Sequence, residues 1–123
     1  MGLIARHLEA NGIPTVIMGC ARDIVEHVGV PRFYWSDFPL GNSAGRPNDE
    51  HSQRDTLAGA LAVFESATGP RTTVVSPQHW SENDAWKRDF MNVEAMPAEK
   101  IEQLKAEFAE QKRIARALKD AKT

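Results

Sequence analysis

The spacing of apolar residues changes several times along this 123-residue chain, and each change predicts a new element. Leu3, Ile4, His7 and Leu8 recur at helical intervals, and Asn11-Gly12 closes the segment in the manner of a helix C-terminus. Residues 13–18, Ile-Pro-Thr-Val-Ile-Met, are almost wholly apolar, the pattern of a buried parallel strand with Pro14 near its start. A short helix is predicted from Ala21 to His27, with Ile24, Val25 and Val28 inward and Gly29 ending it. Arg32 to Phe38 is dense in aromatic residues and reads as a second strand.

That run stops at Pro39. Residues 39–49, Pro-Leu-Gly-Asn-Ser-Ala-Gly-Arg-Pro-Asn-Asp, form a loop whose length points to a role beyond connection. A long helix follows from about Asp49 to Ala67, with Leu57, Ala60, Leu61 and Phe64 as its expected buried stripe. Gly69-Pro70 ends it, and the β-branched residues 71–75 predict a third strand or an extended edge segment. Ser81 to Met91 has the pattern of a short helix capped by Ser81, with Trp80, Trp86 and Phe90 as an aromatic cluster. Pro97 opens a last helix running to about Lys119. Its Ile101, Leu104, Phe108, Gln111, Ala115 and Leu118 hold near-heptad positions among Glu, Lys, Gln and Arg.

Helices and strands that alternate through short connections predict an α/β fold, here a small parallel sheet in a three-layer, Rossmann-like arrangement with a long C-terminal helix. Residues 1–96 are expected to form the α/β domain, and residues 97–123 an amphipathic helix that packs on it or on a partner. Such a domain ordinarily opens with a strand, whereas this sequence opens in a helix. One sheet edge is therefore expected to stand open, to be paired by a second copy or by a partner subunit supplying the strand.

Composition narrows the function classes. Hydrophobic residues make up 41% and charged residues 26%, the balance of a soluble globular protein. A net charge of -2 argues against a nucleic-acid partner, and no apolar run approaches the roughly 20 residues that span a bilayer. Arg6, His7 and Glu9 interrupt the N-terminal apolar residues, unlike a secretory leader. One cysteine excludes an internal disulfide and suits a reducing cytoplasm. The sequence has no CxxC and no His/Cys cluster at ligand spacing, so neither a metal nor a cofactor is expected.

The residues that carry candidate chemistry gather around strand ends. Cys20 follows the first strand and opens a helix. It reads either as a small buried hydrophobe or, helped by the helix N-terminus and Arg22, as a reactive thiolate. Asp37, Gly41, Asn42 and Arg46 lie in or beside the long loop, with His51 and His79 at neighbouring element boundaries. Together they are a candidate binding constellation for a small substrate, in which Arg46 would grip a carboxylate. Asp49 and Glu50 read as first-turn residues of the long helix, suited to its N-terminal dipole.

Two segments carry a family resemblance: residues 2–16, Gly-Leu-Ile-Ala-Arg through Glu-Ala-Asn-Gly-Ile-Pro-Thr-Val, and residues 31–41, Pro-Arg-Phe through Phe-Pro-Leu-Gly. They resemble the C-terminal part of the catalytic component B of the glycine, sarcosine, betaine and D-proline reductases, and the likeness extends to about residue 66. The resemblance implies a doubly wound α/β fold with the substrate side near the loop after Phe38. It also implies reductive cleavage of a carbon–nitrogen bond in an amino-acid-like substrate. In that family a Sec/Cys-x-x-Cys motif lies just before the helix matching residues 2–12. No residue here matches it, and Cys20 follows the next strand instead. The expected function is thus a reductase-like subunit or fragment without the redox pair and not active alone. The alternative is a non-catalytic oligomeric α/β binding module.

Overall fold

The computed structural model describes residues 1–89, 92, 94 and 96–120. The elements follow in the order α1 (Gly2–Ala10), β1 (Ile17–Gly19), α2 (Arg22–Val28), β2 (Arg32–Trp35), α3 (Glu50–Ser66), β3 (Thr72–Val75), α4 (Trp86–Asp89) and α5 (Ala98–Asp120). The chain divides into two compact units between Asn83 and Asp84. The three strands form one parallel sheet in the order β1-β2-β3, with Met18, Tyr34 and Val74 in register across it. The α/β architecture and the long C-terminal helix are as the sequence predicts.

Consecutive residues of a strand face opposite ways, and β2 uses both faces. Phe33, fully buried, and Val25 of α2 both lie against Gly19, while Tyr34 meets Gly59, Ala60 and Val63 of α3. Helix α1 lies with α2, since Gly2 abuts Val28 and Val30 and Arg6 donates to the Val28 carbonyl. The result is three layers: α1 and α2, the sheet, and α3. The connections through α2 and α3 step the same way along the sheet but lie on opposite faces, so they have opposite hands.

Element boundaries move for identifiable reasons. The first strand, expected over 13–18, pairs only from Ile17. Pro14 has no N–H, and the Thr15 N–H donates to the Glu9 carboxylate, so that stretch is tied to α1 rather than to the ladder. That carboxylate also binds Arg32, the first residue of β2. The second strand ends at Trp35, after which Phe38 N–H turns back to the Ser36 carbonyl. The segment over 71–75 is a true third strand, Thr72–Val75.

Of the expected burial stripe, helix α3 keeps only Ala60. Leu57, Leu61 and Phe64 are 51%, 54% and 37% exposed, while Ser52, Thr56, Ala60 and Val63 are buried. The helix is turned by about one residue: Gly59 leaves the space that the Tyr34 ring fills, where a Cβ would collide with its hydroxyl, and Ser52 and Thr56 meet Gln78. Ser52 Oγ donates to Gln78 Oε1 at 2.6 Å, and Gln78 Nε2 donates to Thr56 Oγ1 at 2.8 Å. Helix α2 likewise buries none of its residues completely, and Ile24 is 63% exposed. Of the short helix expected over 81–91, residues 81–85 are not helical and Trp86–Asp89 are, and Phe90 and Met91 lie outside the described residues. Trp80 packs edge-on against Phe38, ring centroids 5.6 Å apart.

Candidate functional site

In an open α/β sheet, ligands settle beyond the carboxyl ends of two neighbouring strands whose onward connections leave to opposite faces. Here those strands are β1 and β2: the chain leaves β1 for α2 on one face and β2 for α3 on the other. The site therefore involves Cys20, just after β1, and the loop from Ser36 to Asp49.

The loop is shaped before any ligand arrives. Gly41 and Gly45 hold φ of 96° and 105°, the left-handed region that side chains disfavour. A Cβ at Gly45 would stand 2.7 Å from the backbone of Gln53, so the loop can press on α3 only with glycine there. Asn42 folds back, its Nδ2 and backbone N–H both donating to the Pro39 carbonyl at 3.0 and 3.2 Å. Arg46 then fastens the loop to two other segments. Its backbone N–H donates to Ser52 Oγ and its carbonyl accepts from Gln53 Nε2, each at 3.0 Å. Its guanidinium reaches Asp49 Oδ2 through Nε at 2.9 Å and the His79 carbonyl through Nη1 at 3.0 Å. Asp49 caps α3 by accepting from Ser52 N–H at 3.0 Å, and that bond, with Arg46, holds its carboxyl below the usual range.

Against this frame lies an open crevice of about 490 Å³, lined by Met18 of β1, Gln53 and Leu57 of α3, and Gly41, Asn42, Ala44, Gly45 and Pro47 of the loop. Its lining is mostly apolar and carries no ionisable side chain. Cys20 stands beside the loop. Burial pushes its thiol above the ordinary value, and the Asp37 charge adds to the rise, outweighing the N–H groups of Asn42 and Phe38 that favour the thiolate. The Cys20 carbonyl accepts from Trp35 Nε1 at 2.9 Å, joining the ends of β1 and β2.

The candidate residues thus divide into three groups. Cys20, Asp37, Gly41 and Asn42 come together at the strand ends. Arg46 is adjacent, with its guanidinium engaged by Asp49 and His79 and so serving to lock the loop. His51 instead faces Asp55 on the exposed side of α3, Nδ1 to Oδ2 3.0 Å, and His79 contributes its carbonyl rather than its ring. No motif marked Met18, Gln53 and Leu57 as crevice walls. Met18 and Leu57 did carry a signal, and in both it pointed to the core.

No family model matches the chain, and no solved structure does. Over 59 residues the chain is 32% identical to the gamma subunit of D-proline reductase from Acetoanaerobium sticklandii. That stretch is 48% of this chain and 24% of the subunit, so the similarity spans about a quarter of the relative's length. The similarity is to a subunit of a reductase. Among the described residues no helix is long and apolar enough to cross a membrane, and no three His, Cys, Asp or Glu side chains gather as metal ligands would.

Proposed function

We propose that this chain is one part of a multi-subunit reductase that cleaves a carbon–nitrogen bond in an amino-acid-like substrate, such as D-proline. The reaction adds two electrons and two protons, turning the Cα–N bond into a C–H and an N–H bond. A dithiol or selenol–thiol pair that closes to a disulfide or selenenyl sulfide supplies both. This chain has one cysteine, so that pair belongs to another segment or polypeptide.

The observation that carries the reading is the trough beside β1. Among the described residues β1 pairs only with β2, so its other edge keeps unpaired N–H and C=O groups. Next to that edge, Met18 and Leu57 of α3 line the crevice, and Leu61, one turn further along α3, is half-exposed. A parallel strand followed by a helix fits both surfaces, and covering the two leucines would contribute about 1 kcal/mol each. Such a strand would end level with Gly19, so a redox pair in its following turn would open onto the crevice. The crevice would receive the uncharged portion of the substrate, with the carboxylate met by the completing segment.

The test is purification of the tagged chain from its own cells with whatever assembles on it, followed by incubation with D-proline and a small dithiol. The expected result is 5-aminopentanoate from the assembly, none from the isolated chain, and neither assembly nor product with Leu61→Lys. An assembly that contains no thiol or selenol pair, or that cleaves none of D-proline, glycine, sarcosine and betaine, overturns the proposal and favours a non-catalytic binding module.

A further inference from the structure

Helix α5 carries a second surface with its own chemistry. It runs 23 residues, about 34 Å at 1.5 Å per residue, and none of its described residues is buried. Ile101, Leu104, Phe108 and Ala115 recur at intervals of three, four and seven, which sets them in one stripe along the helix. Leu104 is 41% and Phe108 67% exposed, and with Met96, Ile101 and the stem of Lys105 they border an apolar groove of about 290 Å³. A seam of this kind is ordinarily covered.

Charge says by what. At 100° per residue Lys105, Lys112 and Arg116 fall along one border of the seam, while Glu99, Glu102 and Glu110 fall on the far side. Lys105 pairs with Glu102 at 2.9 Å on the exposed surface, a contact worth little. Lys112 and Arg116 meet no carboxylate among the described residues. A second copy is a poor match. Antiparallel pairing sets Lys105 against Lys112 of the other copy, and parallel pairing sets Lys100 against Lys105, offset only by one Glu107–Lys112 contact. A membrane is a poorer one, because the seam is only one side chain wide and half of the polar face is acidic.

We propose that α5 docks a helix of a different polypeptide, one with apolar residues at heptad spacing and Asp or Glu along the border that meets Lys105, Lys112 and Arg116. The proposal does not rest on the reductase reading, so the two can fail separately.

The test uses the full chain and a fluorescent helical peptide of about three heptads, with Leu at the seam positions and Glu on both borders. A peptide with Lys in place of Glu is the control, and phosphatidylserine vesicles and sedimentation velocity are further arms. The expected result is binding of the Glu peptide alone, weakened about tenfold or more by raising salt from roughly 0.05 to 0.5 M. Lys112→Glu with Arg116→Glu should weaken it by a similar factor, and Leu104→Glu with Phe108→Glu should abolish it. These positions are exposed, so circular dichroism should be unchanged. Equal binding of both peptides, no binding of either, vesicle binding without peptide binding, or a dimer dispersed by Leu104→Glu would each overturn the proposal.

Discussion

At the scale of single residues, the site turns on what surrounds Cys20. The sequence places a thiol before a helix and leaves open whether it is inert or reactive. In the structure burial pushes the thiol above its ordinary value, with the N–H groups of Asn42 and Phe38 opposing only in part. An unfolded thiol ionises near its ordinary value, whereas the folded one ionises higher. The stability this difference contributes is fully present below the unfolded value and is lost as pH rises through the folded one. Alkylation by iodoacetamide should therefore be slow in the native protein at pH 7. Its rate should rise at a higher pH than in the chain unfolded by urea. Native and unfolded rate–pH profiles that coincide would contradict the burial of Cys20. Arg46 teaches a related lesson. A lone arginine in a loop is equally suited to an anion and to the protein's own carboxylate, and in the structure its guanidinium meets Asp49 and the His79 carbonyl.

At the scale of elements, the order of helices and strands was legible because periodicity reports local geometry. The burial of α3 was not. Its expected stripe names Leu57, Ala60, Leu61 and Phe64, yet of these the sheet receives only Ala60, together with Ser52, Thr56 and Val63. A polar pair can face inward when its partner comes from far along the chain, and Gln78 is that partner. Two substitutions separate the alternatives. Leu61→Ser should change the urea midpoint of the isolated chain by no more than the equivalent of about 0.5 kcal/mol, as at other exposed sites. Val63→Ala should cost about 1–3 kcal/mol, because Val63 is 1% exposed against Tyr34 and Ala60. A reversed ranking would return Leu61 to the core.

At the scale of the whole molecule, the crevice exists because the loop after β2 presses on α3 while β1 lies open beside it. Gly45 is one point of that contact, with left-handed φ and no room for a Cβ beside the Gln53 backbone. Gly45→Ala should cost about 1–3 kcal/mol through overpacking and strain, read as a lower urea midpoint. An unchanged midpoint would mean that the loop rests loosely on α3.

The sequence by itself determined the α/β class, the long polar helix at the C-terminal end, the shaped loop after Phe38 and the expectation of an open sheet edge. Each of these rests on local spacing, on Gly and Pro, or on the order of elements, which the chain carries wherever it folds. Only the tertiary structure decided which face of α3 meets the sheet, that α2 and α3 lie on opposite faces, and that Met18, Gln53 and Leu57 wall one crevice. Those outcomes depend on side chains brought together from distant positions, Tyr34 against Gly59 and Gln78 against Ser52, and local periodicity cannot register contacts between them.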